Sequence, residues 1–335
     1  MFPRELDDLR EVALSPFARE IASPLAPVHA VVLAGTLLEQ LYFAPDRAAI
    51  ALGLGTLPCP IIGARPEHPN AAIYDSCDVV TASEFETAAI LANINRSPIA
   101  AMVLVQVLRA TQTLSVADGL KLESLAYGTL QAGKEFTAWL RGRASGETSP
   151  ALDSGPPVLV ERHDRLLRLR LNRPARLNAL SVELRDALCE ALQLVMTDTA
   201  IETVSISGEG RCFSIGGDLD EFGTAPDPAT AHAIRSIRQP AYFLSQCAER
   251  AEFTLHGACI GAGIELPAFG RRVVAAKDSF FQLPELQFGL IPGAGGCVSI
   301  PRRIGRHRAA YLALSARRIG AAKALEWGLI DALSD

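Results

Sequence analysis

The spacing of apolar positions divides this chain into two unlike stretches. Residues 84–95 and 98–111 repeat apolar side chains at intervals of three and four, and residues 116–141 carry the same period through one or two further helices. Ahead of them, residues 28–34 and 61–64 are short apolar runs of the kind that fill a buried strand. Past residue 157 the pattern changes. Residues 158–162 and 166–171 flank His163-Asp164, and the second run alternates apolar with basic residues, which predicts a half-buried hairpin. Ser181 stands as the N-cap of a helix whose apolar stripe is Leu184, Ala187, Leu188, Ala191, Leu192 and Val195. Strands are predicted at 204–207, 253–255 and 272–276, with a glycine-rich turn at 257–263 and an apolar, helix-like stretch from Ile264 between the last two. Strands alternating with helices make this stretch α/β.

Residues 141–157 read R-G-R-A-S-G-E-T-S-P-A-L-D-S-G-P-P, too dense in Gly, Ser and Pro to sustain a helix or a central strand. A linker at 144–157 leaves a core at 158–335, a helical segment at 83–143 and a first segment at 1–82. A weak repeat relates the two ends. V-H-A-V-V-L-A-G ending at Gly35 parallels I-E-T-V-S-I-S-G ending at Gly208, and residues 78–82 parallel 272–276. The first copy is about 21 residues shorter, and the missing piece is expected at the position of the glycine-rich turn. Chance similarity of short buried strands is the other reading.

Composition narrows the class. The 335 residues are 49% hydrophobic and 21% charged, which suits about two globular domains and excludes a disordered chain. No run approaches the roughly 18 apolar residues of a spanning helix. Residues 1–10 mix charges with leucine and lack a signal-peptide stretch, so a cytoplasmic location and no membrane partner are expected. A net charge of -5 argues against a nucleic-acid surface. Cys59, Cys77, Cys189, Cys212, Cys247, Cys259 and Cys297 are odd in number and form no C-x-x-C, so reduced, mostly buried thiols are expected and neither a disulfide framework nor a metal site.

Two stretches can carry chemistry. In Gly257-Ala-Cys-Ile-Gly-Ala-Gly-Ile-Glu265, small residues let backbone N–H groups approach a ligand, and donors at a helix start favour a developing negative oxygen. Glu265 sits among Ile264, Leu266 and Ala268, where desolvation raises a carboxyl toward acid/base use. Glu285, after Pro284 and before Gly289-Leu-Ile-Pro-Gly-Ala-Gly-Gly296, repeats the situation. A third turn, Gly208-Glu-Gly-Arg-Cys-Phe-Ser-Ile-Gly-Gly-Asp218-Leu, offers free donors at Gly216 and Gly217 but matches neither the dinucleotide fingerprint nor the phosphate loop.

In order, N-R-P-A-R-L-N-A-L (172–180), G-x-G-x-x-F-S-x-G-G-D-L (208–219), H-G-A-C-I-G-A-G-I-E-L (256–266), L-P-E-L-Q-F-G-L-I-P-G-A-G-G (283–296) and R-R-I-G-A-A-K-A-L-E-W-G-L-I-D (317–331) resemble the enoyl-CoA hydratase/isomerase, or crotonase, superfamily. The resemblance implies a ββα spiral core over about 158–335. It makes Gly217 and Ala262 the two main-chain donors of an oxyanion hole for the thioester oxygen of an acyl-CoA. It places Glu265 and Glu285 on the two acids that act across the C=C bond in the hydratases, so a 2-enoyl-CoA hydratase is expected, with no metal or redox cofactor and coenzyme A entering only as part of the substrate. An isomerase, an acyl-CoA hydrolase, or a non-catalytic acyl-CoA-binding or assembly subunit are the alternatives. Coenzyme A contacts fall on Ala175, Arg176, Leu177, Ile215 and Leu219, with Arg176 otherwise a solvated side chain. Phe222, Tyr242 and Phe243 are candidates for the acyl pocket.

The chain departs from the family pattern at its end. Relatives continue past the G-L-[VI] block into helices that cover the site and build a trimer, and here the chain stops at Asp335. Residues 88–106, Gly119-Leu-Lys-Leu-Glu123 and Glu135-Phe-Thr-Ala-Trp-Leu-Arg-Gly-Arg143 resemble that segment, placed ahead of the core. The expectation is a shortened first copy that kept the lid helices, or a circular permutation, in a homo-oligomer (trimer or hexamer). Phe136 and Trp139 are then expected near the acyl or CoA channel, plain helix packing being their other reading, and Arg141 or Arg143 near a phosphate. No lysine stands near Val105-Gln106, where relatives carry one, and the edge after Leu219 is acidic, Asp220-Glu221.

Overall fold

The computed structural model describes residues 3–26, 28–64, 74–143 and 153–334. The first stretch supplies helices Leu6–Leu14 (α1) and Ala18–Ile21 (α2), strand Val31–Ala34 (β1), helices Gly35–Phe43 (α3) and Arg47–Thr56 (α4), and strands Ile61–Ala64 (β2) and Val79–Thr81 (β3). Helices Glu84–Arg96 (α5), Pro98–Ala110 (α6), Val116–Gln131 (α7) and Lys134–Gly142 (α8) follow. The second half runs Val158–His163 (β4), Leu166–Leu171 (β5), Val182–Thr197 (α9), Thr203–Gly208 (β6), Pro228–Ile237 (α10), Pro240–Gln246 (α11), Ala251–Leu255 (β7), Ala258–Ile260 (β8), Ala262–Glu265 (α12), Arg272–Ala276 (β9) and Phe280–Gln282 (β10). It ends with Gly296–Ile304 (α13), Arg306–Ser315 (α14), Ile319–Gly320 (β11), Ala321–Trp327 (α15) and Ala332–Ser334 (β12).

The hairpin forms where the alternation predicts it, with Val158 opposite Leu171 and His163 opposite Leu166. From β5 onward the six-stranded sheet, in order β12-β9-β7-β6-β5-β4, is parallel. Ser181 caps α9 as expected, its hydroxyl accepting from the Leu184 N–H. A smaller sheet, β11-β10-β8, stands beside it and carries the glycine-rich turn at its edge.

The first half holds its own parallel sheet, β1-β2-β3, with Val31 opposite Ile61 and Ile62 opposite Val79. Side chains alternate along a strand, and both faces are buried here. Val31, Leu33 and Ile61 pack into a local core with Leu9, Leu38, Ile50 and Leu54 of α1, α3 and α4. Val32, Ile62 and Val79 point the other way, into the large core shared by α5–α8 and the second half. Asp78, just ahead of β3, binds the join. It accepts from Arg109 Nε at 2.8 Å, from Arg306 at 2.8 Å and from the Ile61 N–H at 2.8 Å, so α6 and α14 are both tied to this sheet.

Several expectations change. The first strand is shorter than residues 28–34, and α1 to α4 and α13 to α14 were not anticipated from spacing. The helix-like stretch behind the glycine-rich turn is one turn only, α12, followed by a 3-10 turn at Pro267–Phe269 whose proline cannot donate to a continuing helix. The paired segments of the repeat have the same order and direction, β1-β2-β3 and β6-β7-β9. The shortfall lies elsewhere than expected: 26 residues separate β1 from β2 against 42 between β6 and β7, while 14 and 16 separate the later pairs. The first half therefore lacks the segment that in the second half holds the turn around Gly217. Of the expected linker, 144–152 lies outside the described residues. No single described helix is long and apolar enough to cross a membrane, and all seven cysteines are buried and unpaired.

Asp78→Asn leaves Arg109 and Arg306 facing a neutral group in a buried join. Breaking such a pair costs about 3 kcal/mol or more, so urea unfolding should show an unfolding free energy lowered by that amount and an earlier midpoint; an unchanged midpoint would mean the join does not depend on this charge.

Candidate active site

The turn after β6 is fixed by side chains from the N-R-P block. Buried Asn178 donates from Nδ2 to the carbonyls of Glu209, Cys212 and Phe213 and accepts from the Arg173 N–H at 2.9 Å. The Ser214 N–H donates to the Ala258 carbonyl and the Ile260 N–H returns to the Ser214 carbonyl, which stitches the turn to β8. Gly216, at φ +90°, donates to Ser214 Oγ. A Cβ there would stand 3.5 Å from the Ala262 nitrogen, so the two glycine-rich turns are in contact. Among the described residues neither the Gly217 N–H nor the Ala262 N–H, the first of α12, is given an acceptor. Two adjacent unspent donors can hold one oxyanion.

Glu265 closes α12 and is 2% exposed. Its Oε2 accepts from the Ala294 N–H at 2.8 Å and the Gly296 N–H at 2.9 Å. Burial raises its pKa to about 7, against these two donors, which lower it. Glu285 opens the 3-10 turn Glu285–Phe288, and its buried Oε2 has no hydrogen-bond partner among the described residues. Burial, then the charge of Glu265, pushes its carboxyl well up. Gly261 separates the two acids. A Cβ there would lie 2.7 Å from Glu285 Oε1 and 3.7 Å from Glu265 Oε1, and its φ of +51° also favours glycine. The two carboxyls thus face one small space beside the Ala262 donor.

A third acid was missed. Glu123 of α7 is fully buried, and its two oxygens accept from the Gly295 and Cys297 N–H groups at 2.7 and 2.8 Å. Burial and then Glu265 raise its pKa. The sequence held a signal, since Glu123 lies three residues past Leu120 and seven before Leu130, on the buried stripe of α7.

A cavity of about 650 Å³ opens onto Glu285, Gly217 and Gly261. Ala175, Arg176, Leu177, Ile215 and Leu219 all line it, as does Arg143. Arg176 is paired with Asp218 at 3.0 Å. Arg143 is hydrogen-bonded to the Leu219 carbonyl and to Asp220, so the acidic edge is partly neutralised by α8. Phe136 and Trp139, expected at the channel, are not in its wall: Trp139 packs behind Phe222 and Phe288, which are, and Phe136 stacks on Trp139 in the core. An amphipathic α8 turns these rings inward and leaves its C-terminal arginine at the rim. Tyr242 and Phe243, on α11, and Arg141 are likewise absent from the lining, and so are Glu265 and Ala262, which stand behind the lining residue Gly261. No group of His, Cys, Asp or Glu with metal-holding geometry occurs among the described residues.

A carboxyl with a folded pKa of about 7 and an unfolded value of 4.5 keeps its proton longer when folded. Its contribution to stability therefore falls as pH rises from about 4.5 to 7 and is level above. Glu265→Gln removes that loss while its carbonyl oxygen can still accept both N–H groups. Urea unfolding should find E265Q close to wild type at pH 5 and more stable by a few kcal/mol at pH 8; a difference that shrinks with pH would contradict the burial of this acid.

Residues 161–334 match the family model for enoyl-CoA hydratase/isomerase. The 2,3-dehydroadipyl-CoA hydratase of Escherichia coli K12 is 36% identical over 177 residues, which cover 52% of this chain and 68% of that protein. The 1,2-epoxyphenylacetyl-CoA isomerase of the same organism is 34% identical over 169 residues, 49% of this chain and 64% of that one. Among solved structures, Pseudomonas aeruginosa DspI superposes with a TM-score of 0.50 at 25% identity, over 56% of this chain and 77% of that one. This chain therefore spans about two thirds of the length of these curated relatives. With a crotonase-like core whose family model covers just over half of its length, the chain belongs to the enoyl-CoA hydratase/isomerase family.

Proposed function

We propose that this chain hydrates a 2-enoyl-CoA thioester, with Glu265 and Glu285 as the acid/base pair and Gly217 and Ala262 as the oxyanion donors. The observation that carries the reading is the unequal environment of two carboxyls facing one space. Glu265, resting on two N–H donors, is the one able to ionise near neutral pH; Glu285, without a donor on Oε2, keeps its proton. The Glu265 carboxylate takes a proton from water as the water oxygen bonds to Cβ. The π electrons move toward the thioester, and the enolate oxygen is held by the Gly217 and Ala262 N–H groups. Cα then takes the proton of Glu285, and the proton gained by Glu265 restores Glu285, so that one water has been added. The reaction needs no metal or redox group.

The cavity wall of Ala175, Leu177, Ile215 and Leu219 offers main-chain groups and apolar surface for coenzyme A, with Arg143 and Arg176 at hand for its phosphates. In this reading α5–α8 serve as the lid that relatives carry after their core, and residues 1–82 as the remnant of a second copy. Arg143 at the rim and Trp139 behind the wall are what α8 contributes. An isomerase is the second reading, favoured by the isomerase among the relatives and by a Glu265 able both to take and to return a proton at neutral pH.

Glu265→Gln and Glu285→Gln should each lower kcat by about 10²- to 10⁴-fold, with binding of a saturated acyl-CoA within about threefold of wild type. Loss of the conjugated C=C absorbance reads hydration, and product analysis separates a shifted double bond from an added water. Full hydration activity in both variants would remove the pair from the mechanism, and binding without turnover across a panel of enoyl-CoA esters would make the chain a binding subunit.

A further inference from the structure

We propose that Glu123, on α7, is a positioning residue for Glu265, acting through the N–H groups that open α13. Four consecutive N–H groups there are divided between two carboxylates in strict alternation. Ala294 and Gly296 donate to Glu265 Oε2, Gly295 and Cys297 to the two oxygens of Glu123. Neighbouring peptide planes share a Cα, so releasing the N–H groups aimed at Glu123 frees φ and ψ torsions that also orient those aimed at Glu265. Gly296 leaves no slack on the other side, since a Cβ there would come within 2.6 Å of Glu265 Cγ.

The burial of Glu123 has no packing rationale of its own. An acid at this depth costs stability where an apolar side chain of equal volume would not, and among the described residues no cation is bonded to it. Arg235, whose charge acts on Glu123, instead donates to Ser124 Oγ and the Ser124 carbonyl and lies over the Tyr127 ring. His232 meets Ser124 Oγ as well, so α10 holds α7, and with it Glu123, in place. The titratable and charged groups facing this cluster are Glu265, Glu285, Cys297, Tyr127 and Arg235. A residue of the first half thus sets the donors on which an acid of the second half rests.

The test labels glycine with ¹⁵N and follows the Gly296 amide, which is bonded to Glu265, through a pH titration. Glu123→Gln can accept through one atom only, and Glu123→Asp keeps the charge but retracts it by one methylene. If Glu123 aims the donors, Glu265 loses N–H contacts in both variants and the Gly296 midpoint moves up by about half a unit or more. Removal of a neighbouring charge alone would move it down in E123Q and leave it in E123D; that result, or unmoved midpoints, overturns the proposal. Should neither variant fold, wild-type Gly295 and Gly296 decide it: shared transitions support the coupling and independent ones overturn it. The activity arm rests on the hydratase reading. There kcat should fall about 10- to 100-fold with KM within about threefold, whereas unchanged kcat overturns the positioning role. Should wild type itself not hydrate, that reading fails and the titration still decides this one.

Discussion

Three carboxyl groups share the space between α7, α12 and the turn at Glu285–Phe288, and among the described residues no cation is bonded to any of them. Removing a charge from water costs far more than a typical hydrogen bond returns. The molecule meets that cost with the backbone N–H groups of one tight turn at the start of α13, supplemented by keeping protons on acids that would otherwise repel one another. Glu265 and Glu123 receive two donors each, and Glu285 receives none on its inner oxygen. The division of donors sets the three acids apart, since the carboxyl with no donor on its buried oxygen is the one least able to carry a charge.

Much of the architecture follows from holding that turn. The start of α13 must face α12 on one side and α7 on the other, so the helices of the first half have to dock on the second half before the site exists. The parallel sheet β1-β2-β3 anchors them. One of its faces joins the main core, and Asp78 draws Arg109 of α6 and Arg306 of α14 onto its edge. The turn that carries Gly217 is built separately, by Asn178 gripping three of its carbonyls and by its crossing with β8. Among the described residues the first half has no equivalent of that turn between its first two strands.

Local patterns were readable where one face of an element decides its composition. The β4–β5 hairpin, the Ser181 cap, the stripe of α9 and the periods of α5 to α8 each follow from side chains that see a single boundary between core and water. Reading failed where several elements surround a residue. The resemblance of their segment to the family's covering helices puts Trp139 and Phe136 at the channel, but Phe222 and Phe288 arrive from the other side and form the wall, and the two rings take the helix-packing alternative. The place of Glu123 on the buried stripe of α7 is legible, but no spacing tells that Gly295 and Cys297 stand opposite it.

The sequence by itself determined the superfamily, the α/β core, the two glycine-rich turns and the two glutamates beside them. Those depend on short contiguous segments in which glycine conformations and apolar neighbours are fixed by the chain itself. Only the tertiary structure decided which donors each acid receives, that a third acid joins them from the first half, and that Arg143 rather than Trp139 reaches the cavity from the end of α8. Each of these is a meeting of segments far apart in sequence, and burial energies depend on who the neighbour is, not on where in the chain it began.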